Sequence, residues 1–186
     1  MGTIFVDNIK QQSSQGSGTI TIGASGETVS FASGVTGTNY PAFEAYLSSD
    51  QTGLTDNTNT KVQFDTERFD TNNAYDNSTN YRFQPTIAGK YYCFANVKLE
   101  PTTAQKTVSQ FLSIFKNGTE YNRSDYDPPD NEDSGVSMYT FSILELNGSS
   151  DYVEIFGRIN TSSSITFRFD AGNGTSTYFG AYRIGT

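Results

Sequence analysis

Apolar and polar residues alternate along most of this chain, and the alternation has the two-residue period of strands rather than the 3.6-residue period of helices. The pattern is clearest over 90–99, where Tyr91, Cys93, Ala95 and Val97 share one face and Tyr92, Phe94, Asn96 and Lys98 share the other. Shorter strands are predicted over 42–47, 60–65 and 81–83, the last stopped by Pro85, which has no N–H for a ladder. A strand over 108–115 runs into Asn117-Gly118 and returns over 119–121. Another, over 136–146, runs into Asn147-Gly148 and returns over 151–159 with Val153 and Ile155 facing the core. Asn-Gly is the strongest short hairpin signal, because both residues tolerate φ > 0. Strands over 164–169 and 177–184 complete a series of ten. Short strands at this spacing, with turn signals between them and no long helical stretch, describe an all-β sandwich.

Residues 1–40 follow a different pattern. Ile4, Val6 and Ile9 form a short apolar strand candidate, and a polar run over 11–18 follows it. Two alternating pieces come next, one carrying Ile20 and Ile22, the other Val29 and Phe31, each closed by a glycine-containing turn. They are too short to bury a core alone. Identical copies wrapped about a threefold axis would supply the missing surface; the other reading is a Gly/Ser-rich leader. The chain therefore divides into an attachment or stem segment, 1–40, and a head, 41–186.

Composition supports the β reading and narrows the chemistry. The 186 residues include 14 Phe, 12 Tyr and 17 Gly, with no Trp and no His, and aromatic residues suit a pleated, half-buried surface. A net charge of −8 excludes nucleic acid as a partner, since phosphates require cationic surface. No run is long and apolar enough for membrane insertion, and the N-terminus lacks the basic start and apolar core of a secretion signal. Cys93 stands alone among aromatics, as a buried small hydrophobe would. Without histidine, Ser-His-Asp and Cys-His sets are excluded. The neighbouring carboxylates Asp65, Glu67 and Asp70 read as solvated charge, and no nucleotide-binding glycine motif or zinc ligand set is present. The expectation is a protein that is not an enzyme and has no cofactor. One local feature stands out: Asp125, Asp127, Asp130, Glu132 and Asp133 lie within nine residues stiffened by Pro128 and Pro129. Such oxygens could hold calcium, although EF-hand spacing is absent; an exposed acidic or receptor-contact loop is the alternative.

A resemblance sharpens this reading. Phe69, Asp70, Tyr75, Asp76, Phe83, Gly89, Tyr91 and Ala95 fall, in order, where the globular head of complement C1q and its tumour necrosis factor-like relatives has such residues. Phe115-Lys116-Asn117-Gly118, Leu144-Glu145-Leu146-Asn147-Gly148 and Tyr178-Phe179-Gly180-Ala181-Tyr182 fit the later parts of that domain. The resemblance implies a ten-stranded jelly roll assembled as a homotrimer, with Gly180 close-packed in the last strand. Tyr92, Phe94 and Phe179 are then the expected contributors to the trimer interface. Residues 1–40 resemble the attachment segments of short fibres on tailed bacteriophages, and the collagen repeats that precede many animal members of the family are absent. The implied role is a virion structural protein whose N-terminus docks on tail, neck or capsid proteins and whose head projects outward toward a host-surface receptor or glycan. The alternative is a soluble trimeric protein that recognises a ligand or glycan.

Overall fold

Strand parity decides what this chain buries. The computed structural model describes residues 40–103, 107–128 and 135–185, all belonging to one compact unit, Asn39–Thr186. Ile4, Val6, Ile9, Ile20, Ile22, Val29 and Phe31, and with them the stem or attachment reading, lie outside the described residues. The strands are β1 (Ala42–Tyr46), β2 (Gln51–Leu54), β3 (Thr60–Lys61), β4 (Thr66–Asp70), β5 (Tyr75–Asp76), β6 (Arg82–Phe83), β7 (Gly89–Pro101), β8 (Thr107–Lys116), β9 (Thr119–Tyr126), β10 (Val136–Leu146), β11 (Val153–Thr161), β12 (Phe167–Asp170) and β13 (Tyr178–Gly185). Ten of them are four residues or longer, while β3, β5 and β6 are two-residue bridges. The expected all-β jelly-roll sandwich is the fold of the described residues.

Two antiparallel sheets face each other. The first runs β2-β12-β7-β13-β1-β4, with β10 on the other edge of β7; the second runs β5-β6-β11-β8-β9, with β3 also on β11. The long strand β7 is the spine of the first sheet. β10 pairs along it from Val136↔Leu99 to Leu146↔Gly89, and β12 and β13 share its opposite edge. Where the sheets approach at β9 and β10, side chains close the gap. Asn122 Nδ2 donates to the Phe141 carbonyl at 2.8 Å and Ser124 Oγ to that of Tyr139 at 2.9 Å. This satisfies an edge that would otherwise invite another strand.

The core lies between the sheets. Tyr91, Cys93, Ala95, Val97 and Leu99 of β7 are fully buried, as are Leu112, Ile114, Val153 and Ile159 across from them. Phe43 is the centre of an aromatic cluster, with ring centroids 4.8 Å from Tyr75, 4.6 Å from Phe83 and 4.9 Å from Phe179. Fully burying each such ring contributes about 1.5–3 kcal/mol relative to leaving it exposed. Phe179 corrects an expectation. It pairs with core-facing Ala95, so the parity of β13 turns it inward, where it is fully buried. Its side chain belongs to the interior of one chain and is unavailable to a second copy. A second difference is that β9 extends to Tyr126 rather than ending near residue 121, so Asp125 lies on a strand opposite Phe111.

Candidate functional site

The parity that buries one side of β7 turns Tyr92, Phe94 and Asn96 outward, and the register supplies their neighbours. Tyr92 lies between Ile143 and Tyr182, Phe94 between Phe141 and Gly180, and Asn96 between Tyr139 and Tyr178. The rings touch along and across strands. Tyr92 is 5.9 Å from Phe94, 6.0 Å from Phe141 and 5.4 Å from Tyr182, centroid to centroid, and Tyr139 is 5.7 Å from Phe141. Gly180 makes room for this arrangement, since a Cβ there would come within 2.5 Å of Phe94 Cζ. Tyr92 and Phe94 are half-buried by their neighbours, whereas Tyr139, Phe141, Ile143, Tyr182 and Ile184 are 45–54% exposed. Scattered apolar residues on a surface need no explanation; a contiguous block on one sheet face marks a contact surface.

The face changes character along β7. Beyond Asn96, Lys98 bridges Glu100 at 2.6 Å and Asp170 at 3.2 Å, while Arg168 joins Glu100, Asp170 and Asp50. The hydrogen bonds that its ammonium donates to Glu100 and Asp170 outweigh burial and hold Lys98 above its ordinary range. At the aromatic end, the phenols of Tyr92 and Tyr139 are 3.3 Å apart. Burial, reinforced by Tyr92, pushes Tyr139 up to about 12, so its phenol stays protonated at neutral pH. An apolar patch bordered by an internally neutralised ion network is suited to covering by another protein surface.

Of the residues singled out from sequence, Tyr92 and Phe94 lie at the middle of this block and Phe179 does not. Tyr139, Phe141, Ile143, Tyr182 and Ile184 were missed. The available signal was the register of the 136–146 strand against 89–99, which places three large apolar residues beside Tyr92 and Phe94. In the acidic segment, Asp125 accepts from Arg123 Nε at 2.6 Å, which neutralises it locally, and Asp127 is exposed. Asp130, Glu132 and Asp133 lie outside the described residues, and among the described residues no three acidic or cysteine side chains converge as a metal site.

The remaining carboxylates close loops. Asp65 accepts from Ser48 N and Oγ at 2.8 and 2.7 Å, and Asp70 from the amides of Asn72 and Tyr75 at 3.1 and 2.8 Å. Partial burial and then Asp70 move Glu67 upward. Cys93 is fully buried, and burial pushes its thiol far above the ordinary range, so it stays protonated and unreactive.

No protein-family model matches the chain, and no curated protein sequence does. Solved structures do match in fold. The crystal structure of murine APRIL at pH 5.0 superposes with a TM-score of 0.56 at 12% identity, covering 78% of this chain and 100% of that one. The globular domain of zebrafish complement 1qA gives 0.50 at 14% identity, covering 77% and 97%. Eiger TNF from S. frugiperda gives 0.50 at 7% identity, covering 78% and 92%. The described head has a C1q/TNF-like fold; identities this low speak to the fold alone.

Proposed function

We propose that three copies of this chain associate through the aromatic face, and that the trimeric head is a non-enzymatic attachment and recognition module mounted on a virion. The observation that carries the association is the outward block of Tyr92, Phe94, Tyr139, Phe141, Ile143 and Tyr182 on three adjacent strands. Obligate interfaces bury on the order of 2,000–5,000 Å². At ~25 cal/mol per Å² of apolar area this gives tens of kcal/mol, against an association cost of roughly ten. The virion part rests on residues 1–40, whose alternating pieces resemble bacteriophage fibre attachment segments. In this reading the segment docks on tail, neck or capsid proteins, and the head makes weak host-surface contacts strengthened by their number. A second reading, a soluble trimer that recognises a ligand, is favoured by the likeness in fold to the complement 1qA globular domain.

The test is the solution mass of the full chain beside Phe141→Asp. The expected result is a trimer for the natural sequence and a folded monomer for the variant, whose exposed position leaves the core untouched. A monomeric natural chain, or a trimeric variant, overturns the association. Co-purification with particles then separates the virion role from the soluble one.

A further inference from the structure

A polar cleft of about 270 Å³ opens at the β5–β6 end of the second sheet, walled by Asn73, Asp76, Asn80, Arg82, Thr86 and Ser149. Its two charged groups differ in what they leave for a ligand. Asp76 is saturated: Oδ1 accepts from Ser78 N, Ser78 Oγ and Thr79 N, and Oδ2 from Asn80 N and Nδ2. Arg82 is positioned but not neutralised. Its guanidinium lies over the Tyr152 ring, 4.5 Å from the centroid, and one nitrogen donates to Gln84 Oε1 at 2.9 Å. Gln84 is held in turn by its amide donating to the Ser149 carbonyl at 2.9 Å. Among the described residues, Arg82 enters no ion pair.

We infer that this cleft is a subsite for one carboxylate-bearing sugar ring, with Arg82 on the carboxylate and Asn73, Asn80 and Thr86 on the hydroxyls. A planar guanidinium fixed by stacking is pre-organised for bidentate binding of a carboxylate. Size limits the ligand, because drug-sized molecules occupy roughly 300–1,000 Å³ and this cleft falls below that range. Charge limits it further. The ionised Asp76 in the wall balances Arg82, and the chain carries −8, so a monoanion is tolerated where a dianionic phosphate would be repelled. The amide and hydroxyl groups in the wall suit a polyhydroxylated ring. The inference rests on the head being a recognition module but not on its being a trimer, since the cleft lies on the second sheet and the aromatic face on the first.

The test titrates the full chain with glucuronic acid, its methyl ester and glucose, followed by amide chemical shifts. Saturable binding of glucuronic acid is expected, with the ester and glucose weaker by about tenfold. Arg82→Gln should lower glucuronic acid binding to the level of the ester. Should that variant not fold, the acid-to-ester ratio on the natural chain decides alone. Equal binding of all three sugars, no saturable binding of the acid, or unchanged binding by a folded Arg82→Gln overturns the inference. Mass measured on the same samples keeps the two readings apart: a monomer that binds overturns only the trimer, and a trimer that does not bind overturns only the subsite.

Discussion

Asp76 shows how much one side chain can organise in a chain this polar. Five donors from residues 78–80 converge on its carboxylate and fold the loop between β5 and β6. The Thr79 amide, followed by those of Ser78 and Asn80, holds its pKa far below the ordinary 3.8, against the opposing effect of burial. The sign follows from linkage: the folded state releases a proton that the unfolded chain keeps near pH 4, so the stabilisation is present above that pH and is lost as pH falls through the folded value. Asp76→Asn should cost about 1–2 kcal/mol at pH 7, toward the lower end because the loop is partly solvated. Chemical denaturation at pH 7 and pH 3 checks this, since the difference between the two proteins should shrink at the lower pH. The sequence already marked Asp76 through its place in the C1q-like pattern. It could not show the five donors, because they come from a turn whose shape depends on the aspartate itself.

At the scale of the element, β10 is the instructive strand. Its buried residues are Met138, Thr140, Leu144 and Leu146, while Tyr139, Phe141 and Ile143 point outward. A hydrophobicity pattern would choose the opposite parity in the middle of the strand, where Thr140 and Ser142 alternate with larger apolar groups. Pairing decides instead: β10 is locked to β7 along eleven residues, and Thr140 sits opposite core-facing Ala95. The consequence is a buried hydroxyl without a hydrogen-bond partner at Thr140 Oγ1. Removing an unsatisfied buried polar group at constant shape is favourable. Thr140→Val should therefore stabilise the fold by about 1 kcal/mol, measured as a rise in denaturation midpoint with an unchanged slope. A loss of stability would mean that the hydroxyl has a partner, such as a buried water. The parity of β13 makes a similar point, since it sends Phe179 to the core and Tyr182 to the surface although both are aromatic.

For the whole molecule, the question is where assembly is encoded. If the aromatic face drives it, a chain lacking residues 1–38 should remain a trimer by light scattering, because the face lies wholly within Asn39–Thr186. A monomeric product would move the drive for assembly to residues 1–38. The sequence by itself determined the all-β class, the Asn117-Gly118 hairpin, the face split of β7 and the lack of histidine-dependent chemistry, because these depend on local periodicity, turn geometry and composition; Asn147-Gly148 instead carries the chain from β10 in the first sheet to β11 in the second, which do not pair. It also exposed Tyr92 and Phe94 as large rings on the wrong side of a core strand. Only the tertiary structure decided that Phe179 is interior, that Tyr139, Phe141 and Ile143 complete the outer face, and that Arg82 stands in a cleft with no ion pair among the described residues. The reason is physical: a strand with apolar residues on both sides carries no internal information about which side is the core, and that choice is made by the sheet packed against it.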